Sequence, residues 1–235
     1  MATYDRSQPT SCRLIDRFDG GVGWLAHPDE AGRRASHAIL GEESDVWLFD
    51  PLDAPGIDAE IRTLGNAAGI VVCSAYHARD AAAFSRRFDV PVFVPTWLDR
   101  IPAQLPGDVP IEAVDDEIGT SGFRVRKASP FPGWTEGIAY RRSDATMYVP
   151  DLLGTAPPYL AGDERLAVSL LVRPVPPTDV FAGLAPERIL VGHGHGISND
   201  AANALADALK QARRGFPRAT LVNGRTQLRA LVDAL

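Results

Sequence analysis

Side chains able to carry acid–base or metal chemistry are sparse in this chain of 235 residues. There are five histidines (His27, His37, His77, His193, His195) and two cysteines (Cys12, Cys73). The cysteines form no CxxC pair, zinc ribbon or disulfide framework. Three loops gather the candidates, and each follows a strand-like run, where α/β folds place their chemistry. The first is Ser74-Ala75-Tyr76-His77-Ala78-Arg79-Asp80. Its His77 is either a ligand or a loop histidine bonded to backbone, and Asp80 suits a helix N-cap. The second is Val149-Pro150-Asp151, whose acid makes an Asx-turn or a ligand. The third is Gly192-His193-Gly194-His195-Gly196. Glycines around His193 let the backbone bring an imidazole close to a cleft, while His195 points to solvent. This GxGxG is not GxGxxG, and GK[ST] and GxSxG are absent, so the chain carries neither a phosphate loop nor a serine-hydrolase elbow.

The elements that must hold these loops begin with strands. Cys12–Phe18, Val22–His27, Ser36–Leu40 and Val46–Phe49 are short apolar runs split by turn signals. Alternation follows: helix Ile57–Leu64, strand Gly69–Cys73, helix Asp80–Phe88, strand Val92–Val94. Residues Ile101–Gly122 are rich in Pro, Gly and Asp and read as a surface excursion. Phe123–Lys127, Gly137–Arg142 and Thr146–Val149 read as strands, and five prolines within Leu152–Pro177 point to loops. Strand Arg188–Val191 precedes a helix capped near Ser198–Asp200 and running to about Arg213, and Thr226–Leu235 forms a short terminal helix. Successive hairpins at the start exclude pure parallel winding and favour two mixed sheets with helices outside.

The net charge is −6, with 45% hydrophobic and 23% charged residues. That composition is globular, not disordered. No basic tract speaks for nucleic acid. No apolar run approaches the ~18–20 residues of a membrane span, and the start MATYDRSQPTSCR has no signal-peptide core. One soluble cytoplasmic domain over residues 1–235 is expected.

Together, the loops resemble those of the metallo-β-lactamase superfamily. Leu48-Phe49-Asp50-Pro51 is similar to its strand ending in Asp. Gly69–Asp80 is similar to the strand and HxHxDH loop, and Pro132-Gly133-Trp134-Thr135 to the PGHT turn. Tyr148-Val149-Pro150-Asp151 is similar to the strand with the bridging Asp, and Leu190-Val191-Gly192-His193-Gly194 to the terminal GHG turn. The resemblance spans about Cys12 to Arg213. It implies an α/β (α+β) chain folded as a four-layer αββα sandwich of two mixed β-sheets flanked by helices. In HxHxDH the first His has become Ala75, the Asp has become Arg79 and the last His has become Asp80. The His of PGHT has become Trp134.

The family's two metals activate a hydroxide for hydrolysis. In this chain the resemblance leaves His77, Asp151 and His193, with Asp80 as a substitute ligand. Arg79 projects a permanent positive charge toward that set. At ~4 Å and an effective dielectric near 20, it opposes a divalent ion by about 8 kcal/mol. The expectation is therefore a divergent member with a lost or reduced metal centre. Arg79 pairs with Asp151 or Asp80 in place of metal, Trp134 fills the vacated space, and the old cleft binds a small anion or a protein partner. The alternative is a hydrolase with one Zn, Mn or Fe on Asp80, Asp151 and His193, and His77 as fourth ligand or base.

Overall fold

A computed structural model describes residues 3–234, with side chains through residue 226. The first sheet begins as an antiparallel meander of β1 (Arg13–Phe18), β2 (Gly21–Leu25), β3 (Ala35–Leu40) and β4 (Val46–Phe49). It continues in parallel through β5 (Ala67–Val71), β6 (Val92–Pro95) and β7 (Ile111–Val114). The parallel strands need crossovers. Helices α1 (Ile57–Leu64) and α2 (Ala81–Phe88) supply two of them. The second sheet has β8 (Phe123–Phe131), β9 (Trp134–Arg141), β10 (Thr146–Val149) and β13 (Arg188–Val191), in the order β13-β10-β9-β8. A small pair, β11 (Leu153–Gly154) and β12 (Ala167–Val168), lies between them in sequence. Helix α3 (Ala201–Ala234) closes the chain. Leu235 lies outside the described residues.

Strand alternation builds three apolar layers. Leu48 and Ile70 face α1 and α2, packing with Ile61 and Phe84. Their neighbours Phe49 and Val71 point the other way and meet Phe123, Tyr148 and Leu190 of the second sheet. Met147 and Ile189 face outward again, onto Leu205 and Ala208 of α3. Because both faces of the central strands are buried, they read as unbroken apolar runs. The result is the expected αββα sandwich of two mixed sheets.

Three local expectations change. The excursion at 101–122 contains β7, an edge strand whose first three residues are exposed, so no apolar pattern marks it. The hairpin β8–β9 reaches much further than its apolar core, and Pro132-Gly133 becomes its turn, with Gly133 at φ 91°. The last two helices are one. α3 runs through Pro217 because its second half has tertiary anchors: Ala219 packs on Ala161 and Leu170, and Asn223 Nδ2 donates to Leu160 O at 2.8 Å. No helix among the described residues is long and apolar enough to cross a membrane.

Candidate metal centre

Register brings the distant loops together. β10 and β13 run parallel with Val149 beside Val191, so two residues further on Asp151 and His193 are level. β4 and β5 are parallel with Phe49 beside Val71, which sets Asp50 next to the loop that carries Ser74, His77 and Arg79. All four strand ends open into one cleft.

Within it, His77, Asp151 and His193 each present a ligand-capable atom, all within 4.8 Å of one another. Asp151 Oδ1 lies 3.1 Å from Nε2 of both histidines. The outer nitrogens are fixed. His77 Nδ1 donates to Asp50 Oδ2 at 2.8 Å, and His193 Nδ1 donates to the Gly32 carbonyl at 2.8 Å. Such outward bonds orient imidazoles so that Nε2 faces the cleft. Asp50 is completely buried and also accepts Tyr148 O–H at 2.6 Å and the Cys73 N–H at 2.9 Å. Asp151 Oδ2 accepts Ser74 Oγ–H at 2.6 Å. Burial alone pushes the Asp151 carboxyl up, but the flanking His77 and His193 outweigh it and hold it well below the usual range. Burial and Arg79 depress His77, yet Asp151 and Asp50 leave it above its ordinary value.

Arg79 is placed differently from the sequence expectation. It has a left-handed backbone, φ 40°. Its guanidinium donates to the carbonyls of Ala35 (2.6 Å), Asp50 (2.8 Å) and Gly192 (3.3 Å), and to His77 Nε2 (3.2 Å). Among the described residues no hydrogen bond joins it to the carboxylate of Asp151 or Asp80. Carbonyls converge there because three loops turn at that point, and five fixed N–H donors suit such a cage. Asp80 stands at the N-cap position of α2, but its Oδ2 accepts the Asp53 N–H at 2.7 Å, and it does not join the His77–Asp151–His193 group. Trp134 does line the cleft. Its Nε1 donates at 2.8 Å to Glu136, a fully buried carboxyl that also takes the N–H of Leu152 at 3.1 Å. Burial, reinforced by Asp151, pushes Glu136 up to about 8. His37 is buried in the interior and bonds the Val191 carbonyl at 3.0 Å.

Several neighbours escaped the sequence reading. Glu136 is a single acid opening an otherwise apolar strand segment, a signal visible in hindsight. Tyr159 stacks on His193 at 5.7 Å and donates to the Asp151 carbonyl. Tyr4 lies 6.0 Å from the His193 ring, under the Arg34 guanidinium. Nothing local marks either tyrosine.

The donor set is too small for a two-metal centre. Three ligand atoms cannot hold two ions, since each needs about three or four. Ala75, Arg79, Asp80 and Trp134, where the resemblance expects the remaining ligands, contribute no atom to the group. One atom of the remaining three, His77 Nε2, already lies 3.2 Å from a fixed cation, the Arg79 guanidinium. The residues do not fit that centre.

No sequence-family model matches the chain, and no curated protein matches it in sequence. Solved structures match in shape. The DIM-1 metallo-β-lactamase superposes with a TM-score of 0.61 at 9% identity, covering 89% of this chain and 100% of that one. A metallo-β-lactamase from Pontibacter korlensis gives 0.59 at 11% identity, covering 85% and 99%. Rubredoxin oxygen:oxidoreductase from Desulfovibrio gigas gives 0.59 at 14% identity, covering 87% of this chain and 62% of that one. With its two mixed sheets and the cleft at their strand ends, the chain has the metallo-β-lactamase fold.

Proposed function

We propose that this is a divergent metallo-β-lactamase-fold protein whose cleft binds a small anionic molecule without metal, Arg79 standing where a cation is needed. The observation that supports it is the Arg79 guanidinium 3.2 Å from His77 Nε2, the atom that a metal would use. The network is closed around it: Arg79 to His77, His77 to Asp50, and His193 and Ser74 to Asp151. A metal forced in at ~4 Å from that guanidinium meets about 8 kcal/mol of repulsion at an effective dielectric near 20.

A second reading rests on the convergence of His77, Asp151 and His193. Two imidazoles and a carboxylate are a reasonable set for one Zn, Mn or Fe ion, which would supply Lewis acidity for hydrolysis. In this reading His77 replaces Asp80 among the ligands.

Elemental analysis of gently purified protein separates the two. Metal-free protein, with no melting shift on adding zinc, manganese or iron, supports the first. Arg79→Ala should then gain zinc affinity by freeing His77. About one equivalent of tightly held metal in the unmodified protein overturns it.

A further inference from the structure

Helix α3 turns one face to the body and leaves the other bare. Ala208, Ala212, Ala219 and Asn223 are buried against the second sheet and its loops. Opposite them, Lys210, Arg214, Arg218, Leu221 and Arg225 follow at i, i+4, i+8, i+11 and i+15, the spacing of a single helical stripe. At 1.5 Å per residue the stripe is about 22 Å long. All five side chains are exposed. Leu221, at 88%, is the most exposed large apolar side chain among the described residues, and its neighbour Val222 stands at 61%. The stripe exists only because α3 passes through Pro217 unbroken. Split there into two helices, the same residues share no face.

Its charge is one-sided. The chain carries 24 Lys and Arg against 30 Asp and Glu, yet residues 208–226 hold five of those cations and no acid. One of the five, Arg213, reaches back to the Pro174 carbonyl at 2.9 Å. Among the described residues the other four make no ion pair. Arginines elsewhere find acids: Arg34 has Glu30, Arg87 has Asp53 and Asp58, Arg141 has Asp144, and Arg173 has Glu164. Four unpaired cations around two bare aliphatics suit a partner that is anionic and apolar at once. A second copy of this face sets arginine against arginine. A nucleic-acid backbone matches the charge but leaves Leu221 and Val222 against phosphates. An anionic lipid surface supplies both, with headgroups for the cations and hydrocarbon just beneath for the aliphatics.

We infer that the outward face of α3 docks on an anionic lipid surface. The helix lies flat, with Lys210, Arg214, Arg218 and Arg225 among the headgroups and Leu221 and Val222 inserted between them. This does not depend on what the cleft binds. The test is co-sedimentation of the full chain with vesicles of phosphatidylcholine alone or mixed with phosphatidylserine. The chain should sediment with the mixed vesicles and not with the neutral ones, and binding should weaken as salt rises. Each basic residue near such a surface contributes about fivefold, so Arg214→Gln with Arg225→Gln should weaken binding on the order of 25-fold. Leu221→Ser should weaken it several-fold and, at so exposed a position, leave the melting temperature unchanged. No binding to the mixed vesicles, or equal binding to neutral ones, overturns the inference. Binding that neither the paired arginine changes nor Leu221→Ser weakens overturns its assignment to α3. Binding that needs the arginines but not Leu221 overturns the insertion of the aliphatics. Duplex DNA bound through the same arginines, with no binding to vesicles, overturns the lipid in favour of a phosphate backbone.

Discussion

Asp50→Asn probes the cleft most directly. Asp50 has 0% exposure and accepts three hydrogen bonds: Cys73 N–H at 2.9 Å, Tyr148 O–H at 2.6 Å and His77 Nδ1–H at 2.8 Å. Its backbone is left-handed, φ 44°, which Asn tolerates, so little of the effect comes from the main chain. The amide keeps one acceptor oxygen and turns the other position into a donor. Either Cys73 N–H, or Tyr148 O–H and His77 N–H together, then face an NH₂ group. A buried donor without a partner costs about 1–3 kcal/mol, and a bond to a charged acceptor contributes about 1.5–3 kcal/mol. The expected loss is about 3 kcal/mol. In a chain of this size that lowers the melting temperature by roughly 6–12 °C. Urea denaturation followed by circular dichroism measures it, with Tyr148→Phe as a control that removes one donor and costs about 1 kcal/mol. A loss below about 0.5 kcal/mol for Asp50→Asn would refute the claim that this carboxylate carries three paired donors.

Asp80→Asn should leave metal content unchanged and cost about 1 kcal/mol, through the weakened bond to the Asp53 N–H. A change in bound metal would return Asp80 to the centre. Glu164→Gln should destabilise by about 3 kcal/mol in chemical denaturation, because it strands fully buried Arg173. An effect near zero would show that the Tyr159 and Val168 carbonyls suffice for that guanidinium. Glu30 gives a pH dependence. Burial pushes its carboxyl up, but Arg34 and the amides of Asp5 and Arg34 outweigh that and hold it below its ordinary 4.5. Its stabilisation is therefore complete above the unfolded value and lost as pH falls through the lower folded value. Stability curves for the unmodified protein and Glu30→Gln should converge at acid pH; parallel curves would refute the shift.

Much of the fold was legible because central strands buried on both faces are continuous apolar runs. Val46–Phe49, Thr146–Val149 and Arg188–Val191 have the same bounds in the structure as in the sequence. β7 was hidden by being an exposed edge, and the length of α3 by Pro217, whose breaking tendency gives way to packing at Ala219. In the cleft, His77, Asp151 and His193 stood out as polar residues after strands, and the structure brings them together. Partners of Arg79 could not be read the same way. Sequence offers charges, so Asp151 and Asp80 were the natural expectation, but the guanidinium found carbonyls of Ala35, Asp50 and Gly192. Backbone acceptors carry no sequence signature.

The cleft takes its shape from apolar packing and from bonds between its loops. The sandwich is held by three apolar layers, none of which needs an ion. The polar residues of the cleft fasten its loops. His193 pins Gly32, Arg79 pins Ala35 and Gly192, His77 pins Asp50, and Ser74 and His193 pin Asp151. Each bond joins two segments distant in sequence, and together they tie the segment before β3 to the ends of β4, β5, β10 and β13. Removing any one leaves buried polar groups unpaired on another loop. Residues that fasten loops to one another are therefore held in place by the fold itself, whatever the cleft binds.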